Sequence, residues 1–152
     1  MLANGIPYIR RAWLPSRTSF HPAHQRGKGP LLFVESFASW LFIQLLREVL
    51  GEHTCDKRSS RTWIHEHYPD WPIEDGFTES DELWLPDHRE THAEIVSRLE
   101  RFLTDIFKSD KNTFLSLTSH SGAIAAILAA TNHRPFRLET GGVIPIFVKA
   151  QF

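Results

Sequence analysis

At 152 residues, with 41% apolar content and a formal charge of −1, the chain suits one globular domain with a moderate core. The near-neutral balance removes the electrostatic case for a nucleic-acid or membrane partner, and no run approaches the roughly 18 apolar residues of a spanning helix. Cys55 is the single cysteine, which excludes an internal disulfide and favours a reducing compartment, so a cytoplasmic location is expected.

Taken in order, residues 1–30 hold Arg10, Arg11, Arg17, Arg26 and Lys28 but no Asp or Glu, with four prolines spaced among them. This composition predicts a basic arm with little order. Its Arg-rich, acid-free character is that of a mitochondrial presequence, although the prolines oppose an amphipathic helix. Residues 31–152 then follow an α/β pattern. The apolar stretch from Pro30 to Leu50 is interrupted by Glu35, Gln44, Arg47 and Glu48 and closes at Gly51, as a buried element or pair of elements would. Residues 52–86 lack a sustained period and read as a long excursion with one short helix near Arg58 to His67. Trp63, Tyr68, Trp71, Phe77 and Trp84 supply the area to pack that excursion onto the domain.

Asp87 to Phe107 is the clearest helix, because Ile95, Val96, Leu99, Phe102, Leu103, Ile106 and Phe107 recur at three- and four-residue steps. Thr91 and Glu94 form a capping box at its start, and Glu94 stands four residues before Arg98 in the favourable ion-pair order. Phe114 to Thr118 then has the length and residue types of a buried strand, and Ala123 to Ala130 those of a helix. Beyond a polar connection from Thr131 to Thr140, Gly141 and Gly142 precede Val143 to Lys149. That tail predicts a strand, confined to an edge or bulge by Pro145.

The turn between the last strand and helix carries the chemistry. His120 stands at the carboxyl end of a strand and before a helix, where unpaired N–H groups and a partial positive charge favour an anion such as phosphate. Ser121 and Gly122 allow close backbone approach. A nucleophile elbow would need glycine two residues before its serine, and neither Ser119 nor Ser121 has one. His88 and His92 share a helix face at i, i+4 spacing, but Glu90 is out of phase for metalloprotease chemistry. The pairs His65 and His67, and His21 and His24, lack a further clustered ligand. No metal and no cofactor is therefore expected.

Four segments together resemble a known family. Ser119, His120, Ser121 and Gly122 after an apolar strand are similar to the second histidine motif of the histidine phosphatase superfamily, the phosphoglycerate mutase-like proteins. The stretches Leu46 to Arg58, Gly76 to Trp84, and Thr140 to Pro145 resemble the fungal-type branch. The resemblance implies a three-layer α/β/α sandwich from about residue 45 onward, with the N-terminal portion truncated or divergent. It also implies metal-free phosphoryl chemistry on a small phosphorylated metabolite, in fungi sometimes within specialised metabolism. His120 would be the second histidine and Glu48 the acid or base, with Ser121, Gly122, Lys57 and Arg58 binding phosphate or substrate.

The family's first motif, Arg-His-Gly or Arg-His-Ala, supplies the nucleophile, and no such string occurs in this sequence. The nearest, Tyr8 to Ala12, puts Arg11 at the histidine's place, and a guanidinium stays protonated. The second arginine motif before Glu48 is also missing. Three readings follow: phosphomonoester hydrolysis or phosphoryl transfer, a catalytically inactive phosphate-binding relic, and an unrelated serine or metal hydrolase.

Overall fold

The computed structural model describes residues 8–12, 40–110, 112 and 114–151. Three strands and three helices occur among them: β1 (Tyr8–Ala12), β2 (Trp40–Phe42), α1 (Arg61–His67), α2 (His92–Ser109), β3 (Phe114–Thr118) and α3 (Ser121–Ala130). A single 3-10 turn spans Thr54–Asp56.

The strands form one sheet in the order β2-β1-β3. Both pairings are antiparallel, with Tyr8 opposite Phe42 on one side and Thr118 on the other. The chain is thus of mixed α and β structure, but the described residues build a smaller assembly than a three-layer α/β/α sandwich. Such a sandwich is built on parallel strands joined by crossovers, whereas among the described residues both strand pairings are antiparallel and one isolated bridge, Phe42 to Ile73, is parallel. Five residues of the segment read as a basic arm form the central strand β1; the rest of residues 1–30, with His21 and His24, lies outside the described residues.

Helix α2 begins at His92 rather than at Asp87. The Thr91 hydroxyl accepts from the Glu94 N–H, and the Glu94 carboxylate accepts from the Thr91 N–H, so the capping box fixes the boundary. His88 consequently precedes the helix and shares no face with His92. Glu94 also differs from expectation: it pairs with His88 at 3.2 Å, while Arg98 turns inward to Glu90. Ile95, Leu99 and Phe102 of α2 pack with Ala123, Ala126 and Ile127 of α3 and with Ile43 and Leu46 to form the main core. Small alanines let α3 approach α2 closely.

A second cluster gathers Phe42, Ile64 and Phe77 with Trp63, Tyr68, Trp71 and Ile73, which packs the excursion against β2. Its return is pinned by Phe42 N–H to Pro72 O at 3.0 Å and Glu74 N–H to Phe42 O at 3.1 Å. Strand β3 is less enclosed than expected, its residues alternating between exposed and half-buried, as befits an edge strand with one covered face. The tail corrects another expectation, since Val143 to Lys149 form no strand. Val143 and Phe147 are largely exposed, and only Ile146 packs on the core. Among the described residues no helix is long and apolar enough to cross a membrane.

Leu99 has no exposed surface and sits where α2 meets α3. Leu99→Ala should lower the unfolding free energy by about 2–5 kcal/mol, measured by urea denaturation, through lost transfer energy and the cavity left behind.

Candidate functional site

The segment from Ile43 to Leu50 has no regular secondary structure, yet Leu46, Arg47 and Leu50 are buried in it. Its carbonyls need partners that no ladder supplies. Arg98, only 4% exposed, provides them: its guanidinium donates to Leu45 O at 2.5 Å, Arg47 O at 3.2 Å and Glu48 O at 3.0 Å. The same guanidinium makes two 2.7 Å bonds to the Glu90 carboxylate, which also accepts from Leu50 N–H. Gly51 ends the segment with φ +90, and a Cβ there would lie 1.7 Å from His88 O, so only glycine fits.

This clamp places Glu48 against the first turn of α3. Its Oε1 accepts from the Val49 N–H at 2.9 Å, and its Oε2 from the Gly122 N–H at 3.3 Å. A Cβ on Gly122 would stand 2.1 Å from Oε1, so glycine is what lets the carboxylate reach the helix terminus. Ser119 ties the turn to the same segment by donating its hydroxyl to Leu46 O at 2.6 Å. His120 is the N-cap residue of α3, with extended backbone; its ring is exposed and caps no N–H of the helix. Glu48, His120, Ser121 and Gly122 are thereby gathered at one helix N-terminus, where helix dipole and free N–H groups favour negative charge.

Arg58 and Lys57 are directed elsewhere. The Arg58 side chain is buried and donates to Gln44 Oε1, Thr78 Oγ1 and the carbonyls of Thr78, Ser80, Ser59 and Glu79, with its guanidinium 4.2 Å from the Phe77 ring centroid. Burial lowers its pKa, against the opposing charge of Asp81. In this arrangement it organises the loop from Phe77 to Asp81 rather than meeting a ligand. Lys57 is exposed and lies with Nζ 4.7 Å from the Trp84 ring centroid.

Arg47 and Asp81 make a second buried pair, through bonds of 2.8 and 2.7 Å, and Arg47 also donates to Asp56 O. Burial alone would raise the Asp81 carboxyl, but the bonds and charge of Arg47, with the Arg58 N–H, outweigh it and hold the pKa below its ordinary value. Sequence reasoning paired Arg98 with Glu94 and gave Glu90 no role, whereas Arg98 and Glu90 pair with each other inside; it passed over Asp81. Arg98 left a signal: a charged residue at a position in phase with Ile95, Leu99 and Phe102 must either be solvated or paired inside.

Two of the histidines weighed as metal ligands from sequence have other contacts. His88 faces Glu94, and His67 Nδ1 lies 2.8 Å from Trp63 O with its ring stacked on Trp63. Among the described residues the ligand types that gather in a group of three are His53, Cys55 and Asp56.

Comparison with known proteins places the chain beside phosphoglycerate mutase-like proteins. A "Probable phosphoglycerate mutase" of Arthroderma benhamiae is 52% identical over 108 residues, covering 71% of this chain and 32% of its own length. A "Probable phosphoglycerate mutase" of Saccharomyces cerevisiae is 42% identical over 120 residues, covering 70% of this chain and 41% of its own. A "Phosphomutase-like protein" of Candida albicans is 38% identical over 109 residues, 71% of this chain and 35% of its own. No family model and no solved structure matches. The likeness covers the C-terminal part of the chain, about 70% of it, and that part belongs to the phosphoglycerate mutase-like proteins of the histidine phosphatase superfamily. The chain spans roughly a third of the length of these relatives.

The lowered pKa of Asp81 sets a sign for acid stability. Its folded pKa lies below the unfolded value of about 3.9, so its contribution is present above that value and lost as pH falls through the folded one. Glu74, raised by burial, acts oppositely and weakens the fold as pH climbs from the unfolded carboxylate value toward its own. Asp81→Asn should cost about 3–5 kcal/mol at neutral pH by leaving Arg47 buried and unpaired, and should flatten the stability loss below about pH 4 in urea melts.

Proposed function

We propose that this chain binds the phosphoryl group of a small phosphorylated metabolite at the N-terminus of α3, as the phosphate-handling part of a histidine phosphatase-type site. The observation that carries this reading is the Glu48 carboxylate on the Gly122 N–H beside His120. A negatively charged group already uses this terminus, so the position suits an anion. His120, when protonated, would donate to phosphoryl oxygens together with the N–H groups of Ser121 and Gly122, and stabilise charge as an oxyanion clamp does.

Glu48 has a complementary role. A phosphoryl dianion brought to α3 would set two like charges side by side, an arrangement that favours uptake of a proton by the pair. A protonated carboxyl at that point is a general acid for the leaving oxygen of a phosphomonoester. The residues present thus offer charge stabilisation and a proton, while no nucleophilic histidine motif accompanies them. Binding without turnover is the activity expected of this chain, and the three-layer α/β/α sandwich belongs to the same proposal. Of the two cations expected to bind substrate, Lys57 is exposed and would have to leave the Trp84 ring, and Arg58 would have to leave its carbonyls.

Inorganic phosphate titrated calorimetrically into the full chain tests this. Binding should weaken about tenfold or more in His120→Ala, the loss of a charge-assisted hydrogen bond, and should strengthen in Glu48→Gln, which removes the competing charge. Phosphate binding indifferent to both changes would contradict the proposal. An aryl phosphate hydrolysed by the chain, with turnover lost in His120→Ala, would instead support the catalytic reading.

A further inference from the structure

Away from α3, one turn brings together three side chains of different ligand type. His53 caps the 3-10 turn Thr54–Asp56, and its imidazole, the Cys55 thiol and the Asp56 carboxylate present ligand atoms all within 4.8 Å of one another. We propose that this turn binds a borderline-soft dication of the zinc class, with imidazole, thiolate and carboxylate as three ligands and a solvent molecule in the fourth position.

The donor set is one that selects such an ion. Imidazole and thiolate favour zinc-like metals over calcium or magnesium, which take oxygen. Ligands on one tetrahedral zinc stand about 3.3–3.8 Å apart, given bonds of about 2.0–2.3 Å. The separations here, at most 4.8 Å, exceed that by no more than about 1–1.5 Å, a gap closed by rotating side chains such as the exposed His53 and Cys55.

The turn itself is already held. Asp56 N–H donates to His53 O at 3.0 Å, Lys57 N–H to Thr54 O at 3.2 Å, and the Trp84 indole N–H to His53 O at 3.0 Å. The Asp56 carboxylate is divided between two tasks. Its Oδ2 is bonded to Arg89 at 2.5 Å, while Oδ1 faces the Cys55 sulfur at 3.8 Å. Arg89, which also donates to Gly51 O at 2.9 Å, therefore orients the carboxylate from behind and leaves Oδ1 as the ligand oxygen, as outer-shell partners do at metal sites. The Lys57 ammonium is drawn off over Trp84 and does not oppose a cation. Binding replaces the Cys55 S–H bond by a metal–sulfur bond and releases the thiol proton to solvent.

Cobalt(II) is the probe, because a cobalt–thiolate bond absorbs in the near ultraviolet and Cys55 is the single cysteine in the chain. Cobalt chloride titrated into the reduced full chain should produce a saturable thiolate-to-metal band at one equivalent, accompanied by proton release and abolished by added zinc. The band should vanish in Cys55→Ser, and its titration midpoint should rise at least tenfold in His53→Ala, an exposed site whose change leaves the fold intact by circular dichroism. Absence of a thiolate band in excess cobalt would overturn the proposal. So would a band whose midpoint is unchanged in both His53→Ala and Asp56→Asn, which would report a thiol binding metal alone.

Discussion

The Arg98 guanidinium inside the domain is the interaction on which the rest depends. An irregular segment cannot be buried unless its carbonyls find donors, and this one side chain supplies bonds to three of them while the Glu90 carboxylate neutralises it. Because Arg98 projects from α2, whose register is set by the Thr91–Glu94 box, the position of Glu48 is tied to a helix boundary some forty residues away. Removing either member would leave a buried charge without its counterpart, a far larger loss than that of an exposed ion pair. The polar cluster is thus a condition of the site rather than an ornament of the core.

Arg47 and Arg58 extend the same device to the excursion between Glu52 and Pro86. Both converge on Asp81, Arg47 by its guanidinium and Arg58 by its backbone N–H, and Arg58 collects the carbonyls of residues 78–80. A long stretch with little secondary structure is ordered in this way by buried cations bonded to backbone oxygen, supplemented by an aromatic cluster on β2. The motif segments that mark the family lie largely along these contacts. Their residue choice therefore has a packing basis alongside any catalytic one.

What the sequence disclosed, and what it withheld, follows the range of the forces involved. β3 and the body of α2 and α3 were legible because apolar period and residue type act locally, and the Thr91–Glu94 box was legible because it spans three residues. The start of α2 was placed too early, since the polar run from Asp87 to Glu90 has helix-compatible residues but is held by Leu50 and Gly51. The tail misled because Val143 to Lys149 has strand composition and no strand partner among the described residues. Tyr8–Ala12 was missed as a strand for the reverse reason: its pairing with Phe114–Thr118 spans about a hundred residues and leaves no local mark. At the site, His120, Ser121, Gly122 and Glu48, singled out by motif position, meet at one helix terminus, whereas the phase of Arg98 marked it as facing inward without naming Glu90 as its partner.

On the proposed reading the α3 terminus acquires a definite chemistry. A carboxylate held by backbone N–H groups beside an exposed histidine is, in that proposal, the place where phosphate would exchange for the carboxylate. The most direct measurement is an amide and imidazole NMR titration of the full chain with inorganic phosphate. The account predicts saturable shifts centred on the Gly122 amide and the His120 ring, as Glu48 gives up its bond. Saturation with both signals unmoved, or shifts confined to another part of the surface, would contradict it.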